Sequence, residues 1–390
     1  MIKLRTSLRL IQAEVVITGV LIAMPIMVPF YNSIGMNQGQ IGLSQALFTV
    51  ALLMLNIPTG WIADRFSRKI SNAFGDLGCA VALILYSQAT GFADVVLCEI
   101  LFGLTMAFSN GADGALIKGH TDRLDKSGKL LHHISSSNAI WRPFAQIVAL
   151  AIGGLVGASN PRLAIAISAI PYVIGTILSL FIREEGKRLV SKHKNPIRDM
   201  VRVVKETVLT SSRLRWMILA YSLGMRITHV MIWALTPVLI FAGVPLPIVA
   251  AGWILNSLAT TFGAMIAKKF ARRLKKWVRF ALPAAMVLSA LTVMSLGLNI
   301  FTVWLYAVLG LALGWNSATL KPMLQEEIPA DTQATALSIA DTFSQIIYAP
   351  LVWIVGLAGS ANIRFSMIAT IVIFAPFMLL TAKKLKNLEV

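Results

Sequence analysis

Gly60-Trp61-Ile62-Ala63-Asp64-Arg65-Phe66-Ser67-Arg68-Lys69 is a short charged clasp between two long apolar runs. Each residue type in it has a physical use. Gly60 lets a neighbouring helix approach closely, as small residues do in bilayers. Asp64 suits the positive N-terminus of another helix, and Arg65, Arg68 and Lys69 hold the segment on the cytoplasmic side of a membrane. Taken alone, the stretch also reads as a plain polar turn between two spans, so its surroundings decide.

Those surroundings are apolar throughout: of 390 residues 57% are hydrophobic and 13% charged, with a mean hydropathy of +0.75. A soluble globule of that composition has too little polar surface to cover itself, so the chain is an integral membrane protein. A span needs about 20 largely apolar residues. Twelve such runs are read, near 8–31, 40–62, 70–90, 93–117, 134–158, 162–182, 214–241, 246–267, 278–298, 300–320, 333–358 and 362–382. The first is long enough to span and is followed by others, so it is read as a span and not as a cleavable signal. Cys79 and Cys98 fall inside spans, as small buried apolar residues.

A net charge of +18 raises nucleic acid as a partner, and its distribution excludes it. With twelve spans, 31 of the 35 Lys and Arg residues fall on one side, and only Arg162 and Arg364 lie on the other. Positive charge marks the cytoplasmic face. Both termini are therefore expected in the cytoplasm, in the cell (inner, cytoplasmic) membrane, with anionic lipids as partners of the basic face. The longest polar break, 183–212, is a linker dividing a unit at 1–182 from one at 213–390. Within it, Ile197–Val208 has a basic amphipathic face suited to lie on the membrane.

The two halves repeat. Ile62-Ala63-Asp64-Arg65-Phe66-Ser67-Arg68-Lys69 aligns with Ile266-Ala267-Lys268-Lys269-Phe270-Ala271-Arg272-Arg273, and Arg142-Pro143-Phe144-Ala145-Gln146-Ile147 with Asp341-Thr342-Phe343-Ser344-Gln345-Ile346. Gly103-Leu104 with Phe108-Ser109 matches Gly310-Leu311 with Trp315-Asn316, and the segment Gly154 to Arg162 matches Gly356 to Arg364. Registers recurring in one order are the mark of an internally repeated membrane fold.

The clasp resembles the loop between the second and third helices of the major facilitator superfamily, roughly Gly-x-x-x-Asp-Arg-x-Gly-Arg-Arg/Lys, with Ser67 at the second glycine. With the repeats, the resemblance covers the full length. It implies an all-α integral membrane fold: twelve helices in two pseudo-symmetric six-helix bundles, rocking about a central cavity lined by the first, fourth, seventh and tenth. It implies a secondary active transporter and not an enzyme. Gly60, Asp64, Arg65, Arg68 and Lys69 would form a conformational gate with Asp113, which is placed to pair with Arg68. Proton-driven drug antiporters carry Arg-x-x-Gln-Gly-x-Gly on the fourth helix. Here Glu99 and Phe102 occupy the arginine and glutamine positions, and the antiporters' Gly-Pro-x-x-Gly-Gly on the fifth reads Ala149-Leu150-Ala151-Ile152-Gly153-Gly154.

Ionisable groups inside spans are costly and normally face protein or water. Here they are Glu14, Asp76, Glu99, Asp113, Arg142, Arg226, His229 and Asp341. At about 1.5 Å rise per residue, Glu14 and Arg142 reach matching depths, as do Arg226 and Asp341. Two ion pairs are expected, as braces or as groups that change partner during transport. Glu14, Glu99 and Asp341 are the candidates for proton coupling. The expected substrate cavity is Arg142, Gln146, Arg226, His229, Trp233, Asn256, Trp315, Asn316, Gln345 and Tyr348, mixing aromatic surface with few polar groups, as suits an amphipathic organic molecule. For Trp233 and Trp315 helix packing is the competing reading, and for His229 a satisfied core histidine. One span histidine and scattered acids supply no metal or nucleophile cluster, and no phosphate-binding Gly-x-x-x-x-Gly-Lys-Ser/Thr loop occurs, so no cofactor is expected. The function expected is proton-coupled export of a small organic molecule by a monomer. Proton-coupled uptake of an organic anion and a non-transporting receptor stand as alternatives.

Overall fold

A computed structural model describes residues 2–65, 67–125, 129–183, 211–328 and 333–388, which are helices and short turns with no strand among them. The basic amphipathic stretch expected at Ile197–Val208 lies outside the described residues. Two compact units are present, Met1–Met36 with Leu47–Lys192, and Asn37–Ala46 with His193–Val390. By length and composition, 11 helices among the described residues can cross a membrane.

In the first unit the chain runs through α1 (Ile2–Thr18), α2 (Met27–Ser33), most of α3 (Gln38–Arg65), α4 (Arg68–Gln88), α5 (Phe92–Leu124), α6 (Lys129–Ser159), α7 (Pro161–Ile167) and α8 (Ala169–Phe181). The second unit holds the first turns of α3, then α9 (Ser212–Met231), α10 (Leu235–Phe241), α11 (Leu246–Phe270), α12 (Lys276–Leu296), α13 (Tyr306–Glu326), α14 (Gln333–Ala361) and α15 (Ile363–Leu388).

The first of the twelve expected spans is not among those 11: its helix begins at Ile2, earlier than expected, and it is broken. Between α1 and α2 the chain opens after Thr18 and makes a 3-10 turn at Met24–Ile26 that carries Pro25. Backbone groups freed inside a membrane must find partners, and the later helices supply them. The Leu21 N–H donates to Gln146 Oε1 at 3.2 Å and the Ala23 N–H to Ser168 Oγ at 2.9 Å. The seventh span breaks in the corresponding place, with a 3-10 turn at Ile232–Ala234 between α9 and α10. There the Tyr306 hydroxyl donates to the Met231 carbonyl.

The repeat seen in the sequence has a matching repeat of contacts. Arg162, at the start of α7, donates to the Ser87 carbonyl near the end of α4 at 2.7 Å and stacks 5.4 Å over Phe30 of α2. Arg364, at the start of α15, donates to the Leu298 carbonyl just past α12 at 3.4 Å and stacks 5.5 Å over Phe241 of α10. Both arginines expected on the far side of the membrane are thus tied into their own units.

The clasp is tighter than a loop. α3 continues through Arg65 and α4 starts at Arg68. Ser67 is the N-cap of α4, its hydroxyl accepting the Ile70 N–H at 3.3 Å. A capping oxygen satisfies one of the free N–H groups of a helix start, so serine has a definite use at this position. The side chains of Gly60, Asp64 and Arg65 lie outside the described residues.

Candidate functional site

In the first unit α1, α4 and α5 bring three carboxyls together. Glu14 is 0% and Asp76 1% exposed. Glu14 faces Asp76, Asp113 and the Asn72 amide, and Ser109 donates to Asp76 Oδ1 at 3.0 Å. Among the described ion pairs none joins Glu14 to Arg142. Arg142 is exposed and lies against Gly19, at the start of the break in the first span. Nor is Asp113 among the described ion pairs of Arg68, whose guanidinium sits near Gly119, further along α5. Gln146 is occupied by the broken first span: beside accepting from Leu21 N–H, its amide donates to the Leu21 carbonyl at 3.4 Å.

Glu99 stands apart from that cluster. It is 5% exposed and accepts the Tyr86 hydroxyl at 2.7 Å and the Tyr31 hydroxyl at 3.4 Å, while the two hydroxyls are 2.7 Å from each other.

In the second unit Asp341 of α14 is half-exposed, accepts the Tyr221 hydroxyl of α9, and pairs with Lys321 of α13 at 3.3 Å. The ion pair expected with Arg226 is not among the described ones. Arg226 instead donates from Nε to Ser344 Oγ at 2.6 Å, with its guanidinium 5.3 Å over the Tyr348 ring. Tyr221, Lys321, Asp341 and Arg226 therefore form one polar face across three helices. One turn on, His229 donates from Nδ1 to the Met225 carbonyl at 2.7 Å, and Gln345 is half-buried.

The other expected lining residues divide. Trp233 borders a small cavity with Gln38, Gly42, Val352 and Gly356, where the first turns of α3 meet α14. Asn316 is 2% exposed and its amide donates to the Gly224 carbonyl at 2.7 Å, joining α13 to α9. Asn256 lies against Gly310 of α13. Trp315 turns the other way: it packs on Ala267 and Ala271, and its indole donates to the Arg279 carbonyl at 2.9 Å. It binds α13 to its neighbours.

Residues 14–351 match the sequence model of the Major Facilitator Superfamily. The chain belongs to this superfamily of membrane transporters. No curated protein sequence matches it. The fold of this facilitator is similar to that of a mutant of the nucleoside transporter NupG, with a TM-score of 0.77 and 15% identity over 99% of both chains. A bacterial homologue of the human lysosomal transporter Spinster, inward-facing and unoccupied, gives 0.76 and 14% over 99% of this chain and 97% of that one. The D-xylose–proton symporter gives 0.74 and 13% over 96% of each.

Tyr221, Lys321, Ser344 and Asp76 are among the facilitator's polar contacts that sequence reading left without a role. Lys321 was counted among the charges beyond the tenth span, yet α13 carries on to Glu326 and keeps it within the helix. Asp76 was legible as a buried charge but had no partner assigned from spacing. Tyr221 and Ser344 carry no charge, and nothing in the pattern of their spans sets them apart.

Proposed function

We propose that this facilitator is a proton-coupled exporter of a small amphipathic organic molecule, working by alternating access as a monomer in the cell membrane, with both termini cytoplasmic. The units at 1–182 and 213–390 are its moving bodies, 183–212 its linker, and the clasp residues with Asp113 bias its conformational balance. Supporting the reading above all is Asp341: a half-exposed carboxylate held between Tyr221 and Lys321, one turn from the Arg226–Ser344 contact. A carboxylate that binds by a hydroxyl and a solvent-reached amine can take a proton and release both. A group locked in a dry ion pair gives up its partner only at several kcal/mol.

Uptake of an organic anion is the second reading, favoured by Arg226 and Lys321 facing a single acid. Flux into liposomes holding only the purified protein separates the two. Under an imposed pH gradient, export by exchange moves the zwitterion rhodamine B against the proton flow, whereas symport carries the anion fluorescein with it. Asp341→Asn should lose pH-driven flux of the transported dye and keep its exchange down a dye gradient. If pH-driven flux survives in Asp341→Asn, Asp341 is a structural partner only. If neither dye moves in the wild type, transport of this class of molecule is excluded.

A further inference from the structure

The first unit contains a group of buried acceptors that outnumber the donors described around them. Glu14 and Asn72 are 0% exposed and Asp76 1%, and with Asp113 they face one another from α1, α4 and α5. The hydrogens that reach them are few. Thr18 donates to Glu14 Oε1 at 3.2 Å and Ser109 to Asp76 Oδ1 at 3.0 Å, while the Asn72 amide, which faces Glu14 and Asp113, also donates to Ser179 Oγ at 3.0 Å. Among the described residues four buried oxygens have no hydrogen-bond partner: Glu14 Oε2, Asn72 Oδ1, Asp76 Oδ2 and Asp113 Oδ1. One of them belongs to a neutral amide, so the shortage is of donors as well as of countercharge.

The other titratable groups that face the cluster do not neutralise it. Arg142 of α6 stands at its edge, felt by Asp113 across a gap and in no described ion pair with any of the three acids. Among the described residues Cys79 of α4 and Tyr172 of α8 also face it, and both are buried. Three ionised carboxylates facing one another away from water repel strongly, and facing acceptors bond only when one of them carries a hydrogen. Among the described residues no group of acids, histidines or cysteines is disposed to hold a metal ion.

We infer that Glu14, Asp76 and Asp113, with Asn72, form a proton-binding site inside the first unit, occupied at neutral pH and sharing its protons among the three carboxyls. Each proton bound turns a carboxylate into a carboxylic acid whose O–H supplies a missing donor. Movement of the Arg142 guanidinium onto Asp113 would expel one, which gives the site a release step. Only that use in transport rests on the proton-coupled reading above; the occupancy does not.

Infrared spectroscopy of the purified full-length protein in liposomes tests it without any substrate, through the C=O stretch of protonated carboxyls. A Glu99→Gln background removes the other carboxyl buried among the described residues. At neutral pH the band should be present, should move on exchange into deuterium oxide, and should weaken in each of Glu14→Gln, Asp76→Asn and Asp113→Asn. Near-isosteric amides keep the shape of the site, and a monodisperse elution profile confirms that each variant is folded. A band that is absent, or unchanged in all three variants, overturns the inference. So does a band that vanishes when sodium chloride replaces choline chloride, because the site would then bind a metal cation in place of protons. Loss of pH-driven flux in Asp341→Asn with the infrared band intact would leave this site standing on its own.

Discussion

The cores of the two units are built on one plan and filled with opposite chemistry. Fourteen residues past the clasp pairing of Ile62 with Ile266, Asp76 of the first unit falls at the place of Phe280 in the second. Asp76 is 1% exposed and Phe280 0%. Ten residues past the pairing of Gly103 with Gly310, Asp113 falls at Leu320, which is 2% exposed. The shared scaffold, with its broken first helix and its arginine hook, tolerates either filling. What differs is where each unit keeps its acids. In the first, Glu14, Asp76 and Glu99 are inside, away from solvent. In the second, Asp341 stands on a half-exposed face with Tyr221 and Lys321 beside it, and Glu327 pairs with Lys276. Matching architecture therefore does not imply matching duty.

The largest effect expected on this comparison is from Phe280→Asp, which places one carboxyl in the dry core of the second unit without an amide or a fellow acid to share a proton. An uncompensated buried charge costs about 3–5 kcal/mol, and the protein should elute from gel filtration as aggregate. A monodisperse variant would show that the second core is as open to acids as the first.

A middle-sized effect separates the two helix breaks. Gln146→Leu strips both bonds from Leu21 and strands its part-buried N–H, at about 1–3 kcal/mol. Tyr306→Phe removes a single bond at Met231, for about 0.5–1.5 kcal/mol. Thermal melting in detergent should therefore fall further for Gln146→Leu, and the reverse order would mean that the second break depends more on its clamp.

The smallest effect should be the same in both halves. Arg162→Lys and Arg364→Lys each lose a planar stack on phenylalanine, about 0.5–1 kcal/mol, so their melting temperatures should drop together. A drop in one alone would end the symmetry of the hooks.

The helical class, the spans and the repeat were legible because they depend on composition and length, which a bilayer constrains severely. Partners of the buried charges were less so. Glu14 and Arg142 have matching depths, but depth comes from rise per residue, whereas contact also needs azimuth. Arg142 lies on Gly19, five residues beyond Glu14 and roughly 140° around an ideal helix. Glu14 looks inward to α4 and α5 while Arg142 is on another face. Pro25 within an apolar run was a visible sign of the broken first span, but its clamps, Gln146 of α6 and Ser168 between α7 and α8, come from far along the chain. Helix ends were misjudged where charges continue the helix: α5 runs through Lys118, His120 and Arg123 to Leu124, and α13 through Lys321 to Glu326.

The clamp on the first span also sets an order of assembly. Leu21 and Ala23 are made early, but the side chains that take up their N–H groups belong to Gln146 and Ser168. While the chain is still being synthesised, those two N–H groups have no permanent partner in lipid, where an unpaired one is expensive. The first span thus enters the membrane as a provisional structure and becomes settled only after α8 has begun to form. A nascent chain stopped after α5 would expose an unfinished helix to quality control. Any factor that shields early spans would have its longest task here, at the beginning of the protein.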